Sequence, residues 1–284
     1  MEKIAWAGIV RAHPLPERIR AVAEHRYDTI SVSVADLDEA AAAGHSIAGL
    51  IDLATEAGIR VSHLDPLATW IEPWQPPDDG WSGYPMMLDF LGCSVDRFFG
   101  VADELGVDSI TAIPSFAAGA HPRAYVVERF AALCDRAAAS DIRVDLELIR
   151  GWGIPDLKTA WEIVEASGAA NAAICLDFWH LLRGKADLGL LADIPGERIG
   201  SVQVCGALRE PQSDSPIEDT LFHRVQPQDS EFDVASVLRT LAQTGGLRVV
   251  GPEVFSATQD AKPLEISLTE TTDAFSAVLS EAGL

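Results

Sequence analysis

Along the chain, short runs rich in Val, Ile and Leu alternate with longer segments whose apolar residues recur every three or four positions. KIAWAGIV (3–10) precedes LPERIRAVAEH, YDTISVS (27–33) precedes SIAGLIDLATEAG, and IRVSHLD (59–65) leads, after a long loop, to SVDRFFGVADELG. VDSITAIP (107–114), IRVDLELI (142–149), AAICLDF (172–178), RIGSVQV (198–204) and LRVVGPEVF (247–255) continue the series. Each is followed by a segment of helical period, the weakest being KADLGLLADI (185–194) and the last running over 264–281. Apolar runs of this length are strands buried on both faces, and the three-to-four spacing is that of amphipathic helices. Gly58, Gly106, Gly168 and Gly245 fall between a helical segment and the next strand, where a left-handed residue closes a helix.

Eight strand-helix units predict a parallel sheet, and a single (β/α)8 TIM barrel over residues 1–284 is the most economical closure. An open doubly wound sheet is the competitor. It lacks the Gly-x-Gly-x-x-Gly that would follow the first strand of a dinucleotide fold. Two excursions break the rhythm, 65–92 and 206–231. Both follow a strand, so a barrel places both on the face that carries active sites.

Composition narrows the function. The chain has 284 residues, 48% hydrophobic and 23% charged, and no apolar run approaches a membrane span, so no membrane partner is expected. The opening residues carry no basic flank followed by a long apolar stretch, so a cytoplasmic location is expected. Cys93, Cys134, Cys175 and Cys205 are widely spaced, which argues against a disulfide framework or a cysteine zinc site. A net charge of -22 without a Lys/Arg cluster argues against nucleic acid as a partner. The expected partner is a small-molecule substrate, and a homo-oligomer is left open.

The strand ends carry the candidate chemistry. In a barrel the fifth strand ends in Glu147, the sixth in Asp177, the seventh in Gln203 and the eighth in Glu253, each bounded by apolar neighbours. Buried carboxylates are costly unless paired or bound to a cation. Three acids and an amide converging at one barrel mouth suit a hard divalent ion held by oxygen. Alternatively, each acid caps the following helix or pairs with a distant arginine.

With these residues in place, the chain resembles the xylose isomerase-like barrel superfamily, in its sugar phosphate isomerase/epimerase branch. Relatives there include ketose 3-epimerases, inosose dehydratases and 3-dehydroshikimate dehydratases. The resemblance covers almost the whole chain and is strongest over 145–255. It implies that Glu147, Asp177 of an Asp-x-x-His motif, Gln203 and Glu253 are metal ligands. It also implies that His180, His63 and Arg209, which stands six residues past Gln203, contact substrate, with Trp179 beside Asp177. Many members carry His where this chain has Gln203; an amide oxygen favours Mg2+ or Mn2+, with Co2+ or Zn2+ next. The dehydroshikimate dehydratase branch also uses Gln there. The Arg-x-x-Pro-Gly-x-Gly turn of the family survives as RVQPQDS, with Arg224 and Pro227 kept and its glycines replaced by Gln228 and Ser230.

The implied reaction is enolisation of a sugar or other polyhydroxylated ketone between the catalytic pair Glu147 and Glu253, giving isomerisation or epimerisation. The alternative is a metal-dependent dehydratase, in which the same enolate expels a β-hydroxyl protonated by His63 or His180. A non-catalytic binding subunit with a degenerate site is the third reading. Trp70, Trp74, Trp81, Trp152 and Trp179 all fall on segments predicted to ring the mouth, which suits the apolar faces of sugars or an aryl-bearing substrate.

Overall fold

A computed structural model describes every residue of the chain except Lys185. Eight parallel strands close into a barrel in sequence order: β1 (Glu2–Ala5), β2 (Thr29–Val32), β3 (Arg60–Leu67), β4 (Ser109–Ala112), β5 (Arg143–Glu147), β6 (Ala172–Asp177), β7 (Ile199–Val204) and β8 (Val249–Pro252). Helices separate the strands and cover the barrel, as the alternating pattern requires. The main apolar core lies between barrel and helices: Ile30, Leu64, Ile110, Val144, Ile174 and Val202 on the strands pack with helix residues such as Ile19, Phe98, Phe130 and Leu238. No helix among the described residues is long and apolar enough to cross a membrane.

The four inter-element glycines do close helices, with φ of 83° at Gly58, 65° at Gly106, 65° at Gly168 and 76° at Gly245. The first strand is shorter than KIAWAGIV suggests. It stops at Ala5 and turns into a 3₁₀ segment, Ala7–Ile9, in which Gly8 lets the Phe255 ring pack close: an added Cβ would stand 2.6 Å from it. A helix over Val34–Ala42 has no counterpart in the hydrophobic pattern. Ser33 and Asp36 form a capping box at its start, the local signal that could have revealed it. The segment expected over 185–194 is seen as a helix over Leu188–Asp193; its first residue, Lys185, lies outside the described residues.

Barrel closure depends on a close approach. β1 pairs β8 through Glu2↔Val249 and Lys3↔Val250, and a Cβ on Gly251 would stand 1.6 Å from the Ile4 carbonyl oxygen. Gly251→Ala is therefore expected to lower stability by about 3 kcal/mol or more, because backbone rather than a flexible side chain must move. Urea unfolding monitored by far-UV dichroism measures it; a loss below about 1 kcal/mol would mean that the seam is more tolerant than its geometry implies.

The two excursions fold together over the C-terminal mouth. One carries the helix Tyr84–Leu91 and the other the helix Pro216–Phe222. Asp79 joins them, its Oδ2 accepting from Ser215 Oγ at 2.7 Å and from the Ile217 amide at 2.9 Å. Tyr84, Met87, Leu91, Ile113, Ile149 and Ile217 make a second, smaller apolar cluster there.

Candidate metal centre and active site

In a strand, alternate residues share a face, so each mouth residue has an inward-facing partner two positions earlier. Glu147 stands above Asp145, Asp177 above Cys175, Gln203 above Ser201 and Glu253 above Gly251. Glu147 sits opposite Cys175 in the β5–β6 register, Asp177 opposite Gln203 in β6–β7, and Gln203 opposite Gly251 in β7–β8. All four ligand candidates are buried.

Asp177 Oδ1 accepts from the Trp179 amide at 2.6 Å, which caps the helix Phe178–Arg183 and leaves Oδ2 for other work. Gln203 Nε2 donates to Glu253 Oε1 at 3.0 Å. Arg224 is 2% exposed, and its Nη1 lies 2.9 Å from Asp177 Oδ2 and 3.0 Å from Glu253 Oε2. Its guanidinium lies over the Phe255 ring at 4.5 Å, with the Trp179 ring 5.8 Å away. Glu147 accepts no side-chain hydrogen bond among the described residues; His180 Nε2 lies 3.9 Å from its Oε1.

The donor set fits a divalent cation. Gln203 Oε1 and Asp177 Oδ2 are buried without a hydrogen-bond partner, the second being ion-paired to Arg224 outside hydrogen-bonding alignment. Atoms of Glu147, Asp177 and His180 lie within 4.8 Å of one another. Three carboxyl groups converge beside a single guanidinium, so a divalent ion would offset the charge they carry when ionised. His180 belongs to the cluster as a donor. Its Nδ1 accepts the Arg150 amide at 3.3 Å, which places the proton of the neutral ring on Nε2, facing Glu147 and Asp177 at 3.9 Å. Burial lowers His180 to about 4, so near neutrality the ring is uncharged.

Burial, reinforced by the neighbouring Asp177, pushes the Glu147 carboxyl well above the usual range, and burial does the same to Glu253 in spite of Arg224. An acid whose folded pKa is raised binds its proton more tightly when folded, so stability is lost as pH rises above the unfolded value of about 4.5. Without metal, the chain is expected to melt at progressively lower temperature between about pH 5 and about pH 8, and saturating Mn2+ should abolish that decline. Melting curves in EDTA and in Mn2+ across this range check it; an EDTA curve that rises with pH would contradict the sign.

Other expected residues are placed elsewhere. His63 lies at the opposite, N-terminal end of the barrel, where it packs edge-on against Trp6, bonds Ser62 Oγ at 2.8 Å and faces Arg143 and Asp145. The hydrophobic pattern predicts a third strand ending at Asp65, but β3 continues to Leu67. The inward residue at mouth height is thus Asp65, about 7 Å higher along the strand. Arg209 turns away from the mouth; its amide and guanidinium bind Glu231 at 2.7 and 2.9 Å, and it lies over Phe232. Trp179 stands behind Arg224 and bonds Thr220 Oγ1 at 3.1 Å rather than lining the cavity. Trp70 is buried against Phe116 and Phe130, whereas Trp81 and Trp152 do line the cavity. His63→Phe is accordingly expected to change stability but to leave turnover within about threefold, since the ring is remote from the reacting centre. Steady-state assays beside thermal melts check this; a hundredfold loss of kcat would return His63 to the site.

The acid missed from sequence, Asp65, lines the same cavity as Glu147, His180, Gln203 and Glu253. Burial, and then the charge of Asp177, raise it to about 7 in spite of Arg224. Arg11 also reaches the cavity wall but is held by Asp260 at 2.7 Å. The cavity has a volume of about 570 Å³.

The fold agrees with what the chain is similar to. It is 28% identical over 187 residues to a 3-dehydroshikimate dehydratase of Pseudomonas aeruginosa, covering 59% of this chain and 28% of that protein. A 3-dehydroshikimate dehydratase of Pseudomonas putida is 24% identical over 261 residues, covering 85% of this chain and 36% of that one. The chain thus spans about a third of the length of these curated relatives. Among solved structures, the IolI protein with a bound zinc atom superposes with a TM-score of 0.82 at 19% identity, covering 99% of both chains. The sequence profile of the xylose isomerase-like TIM barrel family matches residues 19–272, and the chain belongs to that family.

Proposed function

We propose that the chain is a metal-dependent lyase that removes water from a β-hydroxy ketone, with Glu147 as the base. The observation that supports this over a two-base isomerase is the inequality of the two glutamates. Both oxygens of Glu253 are engaged, by Gln203 and by Arg224, whereas Glu147 accepts no hydrogen bond among the described residues and lines the cavity. One free base suits elimination; racemising or epimerising a carbon calls for two. The similarity to two dehydratases supports the same choice, and Gln203 in place of His points to Mg2+ or Mn2+.

A divalent ion held by Glu147, Asp177, Gln203 and Glu253 would stabilise negative charge developing on a substrate oxygen. Glu147 takes the proton from the carbon next to the carbonyl. The electron pair left behind forms the new C=C bond as the β-carbon–oxygen bond breaks, and the departing hydroxyl leaves as water with a proton from the enzyme. Asp65 is better suited to give that proton than either histidine. Raised to about 7, it keeps its proton in about half of the molecules at neutral pH, whereas His180 at about 4 has no second proton to give and His63 is at the wrong end of the barrel. His180 Nε2–H orients the base and the substrate oxygen. Arg224 holds Asp177 and Glu253 in place.

The test is incubation of Mn2+-loaded protein in D2O with a panel of 3-dehydroshikimate and ketoses, read by NMR and mass spectrometry. The lyase reading expects an unsaturated product with loss of water. Deuterium in recovered or epimerised ketose without water loss would favour the two-glutamate isomerase, and an absence of both across the panel would count against enolisation.

A further inference from the structure

The cavity has two unlike halves. Its floor is the acid, amide and histidine set; its outer half is built from the excursions and presents Trp81, Met86, Met87, Phe90, Trp152 and Phe222. Met86 and Phe90 belong to one helix, Tyr84–Leu91, and remain 64% and 46% exposed although both face the cavity. Large exposed apolar side chains are few among the described residues, the others being Met1, Ile266 and Leu284, so finding two together at the rim of one cavity is unlike the rest of the surface. The walls are rigidly joined: Asp79 ties the two excursions, Trp81 packs on Phe222 with centroids 5.8 Å apart, and the small apolar cluster backs both.

A small polyol would engage the floor and leave this outer half wet. No lysine among the described residues lines the cavity, Arg11 and Arg224 are already ion-paired, and Arg150 is exposed at the rim. The outer half is thus poorly equipped for a phosphate and well equipped for flat apolar matter, which aromatic faces and methionine sulfur both contact favourably.

From this we infer that the substrate is bipartite: a hydroxylated ketone that reaches the acid floor, carrying an aryl substituent that fills the Met86–Phe90–Trp152 vestibule. The inference rests on the proposed enolising site for its polar end, and on the vestibule alone for its apolar end.

Two probes separate them. 2-Hydroxyacetophenone joins a hydroxy ketone to a phenyl ring, and dihydroxyacetone presents the hydroxy ketone without it. Titration followed by tryptophan fluorescence, with and without Mn2+, should show the aryl probe binding at least about tenfold more tightly, the gain expected from burying one ring. The double substitution M86N/F90N should reduce that ratio to below about threefold. Equal binding of the two probes by the native protein overturns the inference, as does a ratio that survives the double substitution. It is also overturned if the native chain is a dimer that the double substitution splits while the ratio stays the same, which would make the apolar rim a self-association surface. Metal content measured on the same samples keeps the two claims apart: a chain that binds no Mn2+ but keeps the aryl preference loses the enolising floor and retains the vestibule.

Discussion

Glu147→Gln is expected to reduce kcat by at least about a thousandfold while leaving the fold and the metal in place. The amide keeps an oxygen that can face a cation but cannot accept a proton, so the substitution separates the two duties assigned to Glu147. The side chain is buried and accepts no hydrogen bond among the described residues, so no hydrogen bond is lost with the carboxyl. Replacing a carboxyl whose proton is held by burial should even raise the melting temperature of the metal-free chain at pH 8. Steady-state kinetics, metal content and melting curves on one preparation measure all three. Turnover within tenfold of the native chain would remove Glu147 as the base.

Arg224→Met should be the most damaging single change to stability. The guanidinium is buried between Asp177 and Glu253, and a methionine of similar length leaves both carboxylates without their cation. Breaking such a pair costs about 3–5 kcal/mol where both acids are ionised. The loss should be largest at pH 8 without metal. It should shrink as the pH falls and Glu253, whose proton burial holds, becomes protonated, and again when Mn2+ supplies positive charge. Urea unfolding at pH 8 and at lower pH, with and without Mn2+, distinguishes this from lost packing over Phe255 and beside Trp179, which would cost the same under every condition.

How legible these features were depended on how local their signals are. Glu147, Asp177, Gln203 and Glu253 each end an apolar run, and strand periodicity then places them on the inner face at one height; their convergence needs only the barrel. His63 and Asp65 share that face, so alternation alone predicts the face but not the height: the apolar run ends at Asp65, whereas β3 continues through Pro66 to Leu67. Arg209 was drawn in by its spacing from Gln203, but its partner is Glu231, in a loop whose path no short motif encodes. Arg224 suffered the reverse. The loss of glycines around it weakened its motif, yet the backbone still brings it between two acids 47 residues before it and 29 after it in the chain. The vestibule was foreshadowed only by tryptophans, and which of them face inward is decided by tertiary packing: Trp70 is core, Trp179 supports Arg224, and Met86 and Phe90 carried no sequence signal of a site.

The central claim is that the strand-end oxygens form a divalent-metal site, and elemental analysis of the native chain beside Asp177→Ala, after equilibration with Mn2+ and gel filtration, tests it most directly. The expected result is about one ion per native chain and almost none in the variant, whose folding is verified by circular dichroism. A native chain that retains no metal, or a variant that retains as much as the native chain, would contradict it and leave Asp177 as a helix cap paired with Arg224.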